Sequence, residues 1–259
     1  MIDLSFSYAD LQFYLLIVVR VTCFIYIAPF FGMSNTPHVT KIGLGLIVSY
    51  LLYGILDAPN INFDTETEYA IIVMKEAITG FLIGFGAQLC TAVAALAGHI
   101  TDVETGMSMA QVFDVNTREN ISITGGLYQY AFYLMLIATG MYQYLLGAMV
   151  DSFTLIPVAG AVFKADSLTS SMVQFMAEYM SIGFRIALPV FCCIILLNSV
   201  LGILAKVAPQ MNMFAVGIQL KVLTGLAIIY ISAFLLPTAA DFVFTEMKRM
   251  VVSFVEGMM

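Results

Sequence analysis

Long apolar runs recur along this chain, and two apolar runs bracket one short polar corner. Residues 184–204 form one run and residues 224–237 another. Between them, GILAKVAPQMNMFAVGIQLKVLTG (residues 202–225) carries Lys206, Lys221 and the corner Pro209, Gln210, Met211 and Asn212. A proline disfavours helical geometry in the residue before it, so the incoming helix should stop at Ala208 or just before. The expected product is a hairpin of two apolar helices whose polarity is gathered at its tip. Such a tip is either a plain loop with lysines at the water boundary or a surface with a task of its own.

Composition sets the class. Hydrophobic residues make up 61% of the 259 and charged residues 10%, against about 25% charged in soluble chains, which excludes a single water-soluble domain. The runs are continuous and not alternating, which excludes a transmembrane barrel. The expectation is an all-α membrane protein of long, kinked helices arranged in hairpins. Asp3 and Asp10 give an acidic start without the positive region of a signal peptide, so no cleavage is expected. A net charge of −7 offers no basic surface for nucleic acid. Cys23, Cys90, Cys192 and Cys193 all lie within apolar runs and read as small buried apolar residues, with neither disulfide nor metal site.

In chain order, residues 11–31 form a first span with Arg20 near its middle. A guanidinium at that depth costs about 2.5–3.5 kcal/mol to insert. Arg20 should therefore face protein, water or an acidic partner, a carboxylate within the bundle being the plainest choice. Pro29 and the Phe30-Phe31-Gly32 corner end the span, and His38 in the next turn reads as surface and not as a ligand. Residues 42–56 are apolar but short for a crossing, and Gly43, Gly45 and Gly54 would admit a close helix. Residues 57–68 are an acidic connector. Residues 69–99 are long for one span, and Gly80 and Gly84 make a GxxxG groove for close backbone packing.

Residues 100–124 break the pattern. Asp102, Glu104 and Gly106 precede Met107, Met109 and Phe113, and the remainder is polar. Methionine adapts its shape, so these three apolar side chains are expected to pack into an interior. Two thioethers with no partnered Cys or His make a poor Cu(I) site. Residues 125–150 read as a span flanked by Tyr128, Tyr130, Tyr133, Tyr142 and Tyr144, in the manner of interfacial aromatic belts, with a loop over residues 151–171.

Residues 172–207 again exceed one straight span. Glu178 and Arg185 share a helix face two turns apart and are expected to be structurally paired, with a kink at Pro189. After the last span, Val243, Met247, Met250 and Phe254 fall on one face of an amphipathic tail. Counted as six alternating spans, Lys41, Arg118, Lys206 and Lys221 fall on one side and Lys75, Lys164, Lys248 and Arg249 on the other. That balance gives no positive-inside orientation.

No enzymatic constellation is legible. His38 and His99 are the only histidines, and no nucleophile, base and orienting group come together in the sequence. Phosphate-loop and HExxH motifs are missing too. No catalytic, cofactor-binding or metal site is expected. The intramembrane charges Arg20, Glu178 and Arg185 keep a small-solute or ion transporter open, although no pair of interrupted spans marks an alternating-access site.

Several separate stretches resemble one family. They are Ala28-Pro-Phe-Phe-Gly32 with Pro37 and Lys41-Ile-Gly-Leu, then Lys75-Glu76 with Gly80, Gly84-Phe85, Gly98-His-Ile-Thr-Asp102 and Gly106. Asp151-Ser-Phe-Thr-Leu-Ile-Pro157 and the Pro209-Gln-Met-Asn-Met-Phe tip complete the set. Together they resemble the FliR family of the flagellar type III protein export gate, and they cover most of the chain.

The resemblance implies a non-enzymatic gate subunit assembled with FliP- and FliQ-type subunits, wrapped by an FlhB-type subunit, in the inner membrane at the flagellar basal body. Unfolded flagellar proteins would be its substrates. It implies a FliP-like part over residues 1–171 and a FliQ-like hairpin with tail over residues 172–259, stacked into a helical assembly above the membrane plane. The segment 106–122 would be a pore plug, with Met107, Met109 and Phe113 as its apolar seal. Lys206, Pro209, Gln210, Met211, Asn212 and Lys221 would face the cytoplasmic entrance, with the two lysines in intersubunit ion pairs. A homologous injectisome subunit is the alternative within the class.

Overall fold

The structure is a computed structural model describing residues 8–33, 36–56, 65–110, 112–114, 119–210 and 212–259, with side chains for all of these but 110–121, 213 and 214. It is helical almost throughout. In order come α1 (Tyr8–Ile27), α2 (His38–Tyr53), α3 (Glu66–Thr105), α4 (Ile123–Ala138), α5 (Met141–Leu155), α6 (Ala165–Val207), α7 (Met213–Ser232) and α8 (Leu236–Glu256). Among the described residues four helical stretches are long and apolar enough to cross a membrane, or five if α4 and α5 count as one broken span. The acidic connector expected at 57–68 lies mostly outside the described residues.

The chain forms two compact units: residues up to Leu89 with Gly140–Gln174 and Glu246–Met259, and Cys90–Thr139 with Phe175–Thr245. In the first, α1 lies against α3 with backbones in close approach. A methyl group at Gly80 would overlap the Arg20 carbonyl oxygen, and one at Gly84 would sit 2.9 Å from that of Phe24. The two glycines and the two residues they meet are each four apart, so one groove accepts one helix backbone. Leu16, Ile17, Val21, Ile83, Met149 and Phe254 of this unit are buried. Of the glycines on α2 only Gly45 is used, against Thr22 of α1, while Gly43 faces open space. The tail closes the unit: Val162 and Lys164 donate backbone hydrogen bonds to Met258 and Gly257, each at 3.0 Å. Val243, Met247, Met250 and Phe254 are all buried, as the period of the amphipathic tail requires.

In the second unit Gly98 of α3 meets the backbone of Gly125 at the start of α4. Gly183 of α6 takes Leu96 into the space its missing side chain leaves. Phe132 and Phe244 meet edge to face at 6.4 Å between ring centres. Here α6 stops at Val207, one residue before the bond into Pro209, and Asn212 caps α7 by accepting from the Ala215 amide at 3.4 Å. Leu201 of α6 reaches Gly217 of α7, so the antiparallel hairpin is formed.

Several sequence expectations are corrected. Residues 100–105 continue α3, and α3 ends at Gly106, whose φ of +79° ends a helix at little steric cost. The apolar run 125–150 is broken at Thr139–Gly140, with Gly140 at φ +70°. The supposed loop 151–171 is helical to Leu155 and again from Ala165. Cys192 is exposed, in contrast to buried Cys90. Between α3 and α4 the chain forms a 3-10 turn (Met107–Ala110) and a short antiparallel pair, β1 (Val112–Asp114) and β2 (Glu119–Ile121).

Candidate functional site

Two buried polar nodes organise the units. In the first unit, Arg20 on α1 and Glu76 on α3 are both fully buried. Arg20 Nε donates to Glu76 Oε2 at 2.5 Å and Nη2 donates to Oε1 at 3.0 Å, a bidentate fork. Its remaining nitrogen, Nη1, donates to the carbonyls of Ser152 and Ile156 at 3.2 and 2.9 Å. Ser152 lies in the last turn of α5 and Ile156 is its C-cap, an end where a cation also complements the helix dipole. Glu76 Oε1 accepts in addition from the Ala159 amide at 3.0 Å, and the Phe153 ring lies 4.3 Å below the guanidinium. Each side-chain nitrogen of Arg20 therefore has an acceptor within the protein.

In the second unit the node is Asp102, fully buried in the last turn of α3. Its carboxylate accepts from Ser122 Oγ at 2.6 Å, from the Thr124 amide at 3.2 and 3.3 Å, and from Thr124 Oγ1. Ser122 in turn caps α4 by accepting from the Gly125 amide at 2.9 Å. The amide and hydroxyl donors at the start of α4 thus converge on one carboxylate. The consequence is a closed base: α3 ends and α4 begins at one point.

On that segment Met109 is 78% exposed and Met107 half-buried. The interior packing expected of Met109 is thus not formed within this chain, because the 3-10 turn after Gly106 carries it outward. Phe113 pairs in register with Asn120 on the two-stranded ladder, and its side chain lies outside those described. At the hairpin tip Lys206, Pro209, Gln210 and Asn212 are exposed and Lys221 is half-buried; Met211 lies outside the described residues. Arg185 is exposed and makes no ion pair among the described residues, while Glu178 is half-buried. The expected Glu178–Arg185 pairing is not formed, since Arg185 turns to a cavity beside α4, α7 and α8.

The sequence alone assigns no role to Ser122 or Thr124, and Glu76 stands out in it only as part of the family resemblance. A lone arginine in an apolar run signals that some apolar helix must carry its acid, and Glu76 stands in such a helix. Ser122, one residue ahead of the apolar run of α4, has the position and chemistry of an N-cap.

The family model for bacterial export proteins, family 1, matches residues 11–247. The chain is 28% identical over 211 residues to the flagellar biosynthetic protein FliR of Bacillus subtilis, covering 81% of each chain. It is 25% identical over 240 residues to FliR of Escherichia coli, covering 91% of this chain and 88% of that one. FliR of Aquifex aeolicus is 25% identical over 214 residues, 82% of each.

Proposed function

The chain belongs to the FliR family of bacterial export proteins, a membrane component of the flagellar export apparatus, and we propose that it acts there as a structural and channel subunit of the export gate. In this reading unfolded flagellar proteins cross the inner membrane at the basal body through a pore it helps to line. FliP-, FliQ- and FlhB-type subunits are its partners. Residues 1–171 form the FliP-like part and residues 172–259 the FliQ-like hairpin.

The observation that carries the plug is the closed base at Asp102. It holds the two ends of segment 106–122 at one anchored point, with Met109 facing outward. A segment tied at its base can yield to a passing chain while its anchorage stays formed, and the thioethers of Met107 and Met109 adapt to whatever they close upon. The exposed apolar legs of the hairpin, with Leu196, Ile203, Leu223 and Tyr230 all uncovered, support burial against lipid and neighbouring subunits. The transporter reading loses support at Arg20, which is fully buried with an internal acceptor for each of its side-chain nitrogens. The relatives named above are flagellar, which favours that system over an injectisome.

Native mass determination after mild extraction of the tagged chain from its own cells tests the reading. A large complex with two other small hydrophobic subunits is expected. A monomer or simple dimer, under conditions that preserve other membrane complexes, overturns it.

A further inference from the structure

Within the second unit the last turn of α3 is held from two sides. On one side Asp102 takes the start of α4 through Ser122 and Thr124. On the other, Thr105 meets Gly225 of α7, where a methyl group added to the glycine would overlap the Thr105 methyl. Thr105 is fully buried and is the final residue of α3, directly before Gly106 and the turn of Met107–Ala110. Its hydroxyl donates back to the Thr101 carbonyl at 2.9 Å. That bond fixes the side chain, so the methyl is what meets α7.

Helix register places this contact where α3 ends and α7 continues. Tyr179 of α6 donates to the Ala92 carbonyl at 3.3 Å across 87 residues, and Gly183 takes Leu96 at the same offset. The two helices therefore run in one sense, which brings Thr105 level with Cys192. Leu201 of α6 meets Gly217 of α7, so the returning leg brings Leu226 opposite Cys192, one residue from Gly225. Residues 213–224 of α7 thus extend past the end of α3, over about 18 Å at about 1.5 Å per residue. The inward face of α7 is marked by buried Gly217, Gly225 and Ile229 with half-buried Lys221, each four residues from the next.

A close-packed interior passes displacement on instead of absorbing it. A shift of α7 toward α3 must therefore move Thr105, and the next residue is Gly106, at φ +79°, where segment 106–122 begins. We propose that α7 is the link between the hairpin tip and the plug, carrying displacement of the tip through Gly225 and the Thr105 methyl to the turn at Gly106. Whatever engages the tip thereby controls how firmly the segment is held. This rests on the plug reading and supplies its control.

The test uses the full chain assembled with its partners. Amide hydrogen exchange is followed at Gly106, Met109, Thr124 and Gly126, whose amides are hydrogen-bonded at or beside the base of the segment. Ion flux is measured in cells carrying the same variants. Gly225→Ala should speed exchange at these amides by about tenfold or more and raise ion leak. Adding Thr105→Ser should restore both, because it removes the obstructing methyl and keeps the hydroxyl. Gly202→Ala, on the other leg with nothing within 4 Å, should change neither. Asn212→Ala, which uncaps α7 at the tip, should also speed exchange at the base, and much less so in the Thr105→Ser background. Faster exchange confined to α7 in Gly225→Ala, or no rescue by Thr105→Ser, overturns the link. Faster exchange at the base with a gate that stays tight keeps the link and refutes the plug reading.

Discussion

Arg20 and Glu76 face one another through two parallel hydrogen bonds, 2.5 and 3.0 Å long, with neither side chain reaching solvent. Removing one partner leaves the other as an uncompensated buried charge, at a cost of about 3–5 kcal/mol. Glu76→Ala should lower the melting temperature of the purified protein by on the order of 10 °C. The double variant Arg20→Met with Glu76→Leu should recover much of that loss, because apolar replacements of similar volume remove both charges together. Thermal unfolding of the two variants in one detergent checks this; a double variant as unstable as the single would mean that the carbonyl contacts at Ser152 and Ile156 dominate the node.

The groove at Gly80 and Gly84 has no room for a methyl group, since the backbone of α1 already occupies it. Gly80→Ala should destabilise by roughly 1–3 kcal/mol, the usual cost of overpacking. Gly43→Ala, where nothing lies within 4 Å, should be neutral or slightly stabilising. Paired denaturation curves would decide, and equal effects would refute the close contact of α1 with α3.

At the base of the suspended segment, Asp102→Ala removes the acceptor for Ser122 and Thr124. Hydrogen bonds to a charged group contribute about 1.5–3 kcal/mol each, so α4 should fray at its start. On the gate reading, cells carrying this variant should leak small ions, and Met109→Ala should do so with little change in thermal stability. Ion flux measured beside melting temperature separates the two, and a tight gate in both variants would sink the plug assignment.

Lys206 is exposed and Lys221 half-buried, and neither makes an ion pair among the described residues. If both hold neighbouring subunits at the tip, Lys206→Ala and Lys221→Ala should each raise ion leak, and acidic replacements more so. Unchanged permeability in all of these would leave the tip as a plain connecting loop.

The fold was legible where one local rule acted alone. Pro209 placed the end of α6, the spacing of Val243, Met247, Met250 and Phe254 gave the buried face of α8, and the four-residue step from Gly80 to Gly84 announced a close partner. It was illegible where two distant segments had to agree. Nothing local told residues 100–105 to remain helical, because the reason is Asp102 meeting Ser122 and Thr124 some 20 residues later. The break at Gly140 was hidden for a similar reason, since an apolar run reads alike whether straight or interrupted. Arg20 was flagged as needing an acid, but its acid lay 56 residues away beside Lys75, where a charged pair reads as a helix start. For Met109 the residue type suggested burial, and only the turn after Gly106 shows it facing outward.

The Arg20 node also has a schedule. Glu76 follows Arg20 by 56 residues and Ile156 follows it by 136. At roughly 5–20 residues made per second, the guanidinium waits about 3–11 s for its carboxylate and about 7–27 s for its last carbonyl. Val162 waits a further 96 residues for its own acceptor, Met258. The guanidinium of α1 is thus complete only once α5 has been made, and until then α1 is a poor resident of lipid. Its insertion depends on whatever shelters a nascent chain at the membrane, and a pause in synthesis between α1 and α3 would expose the chain at its most vulnerable moment.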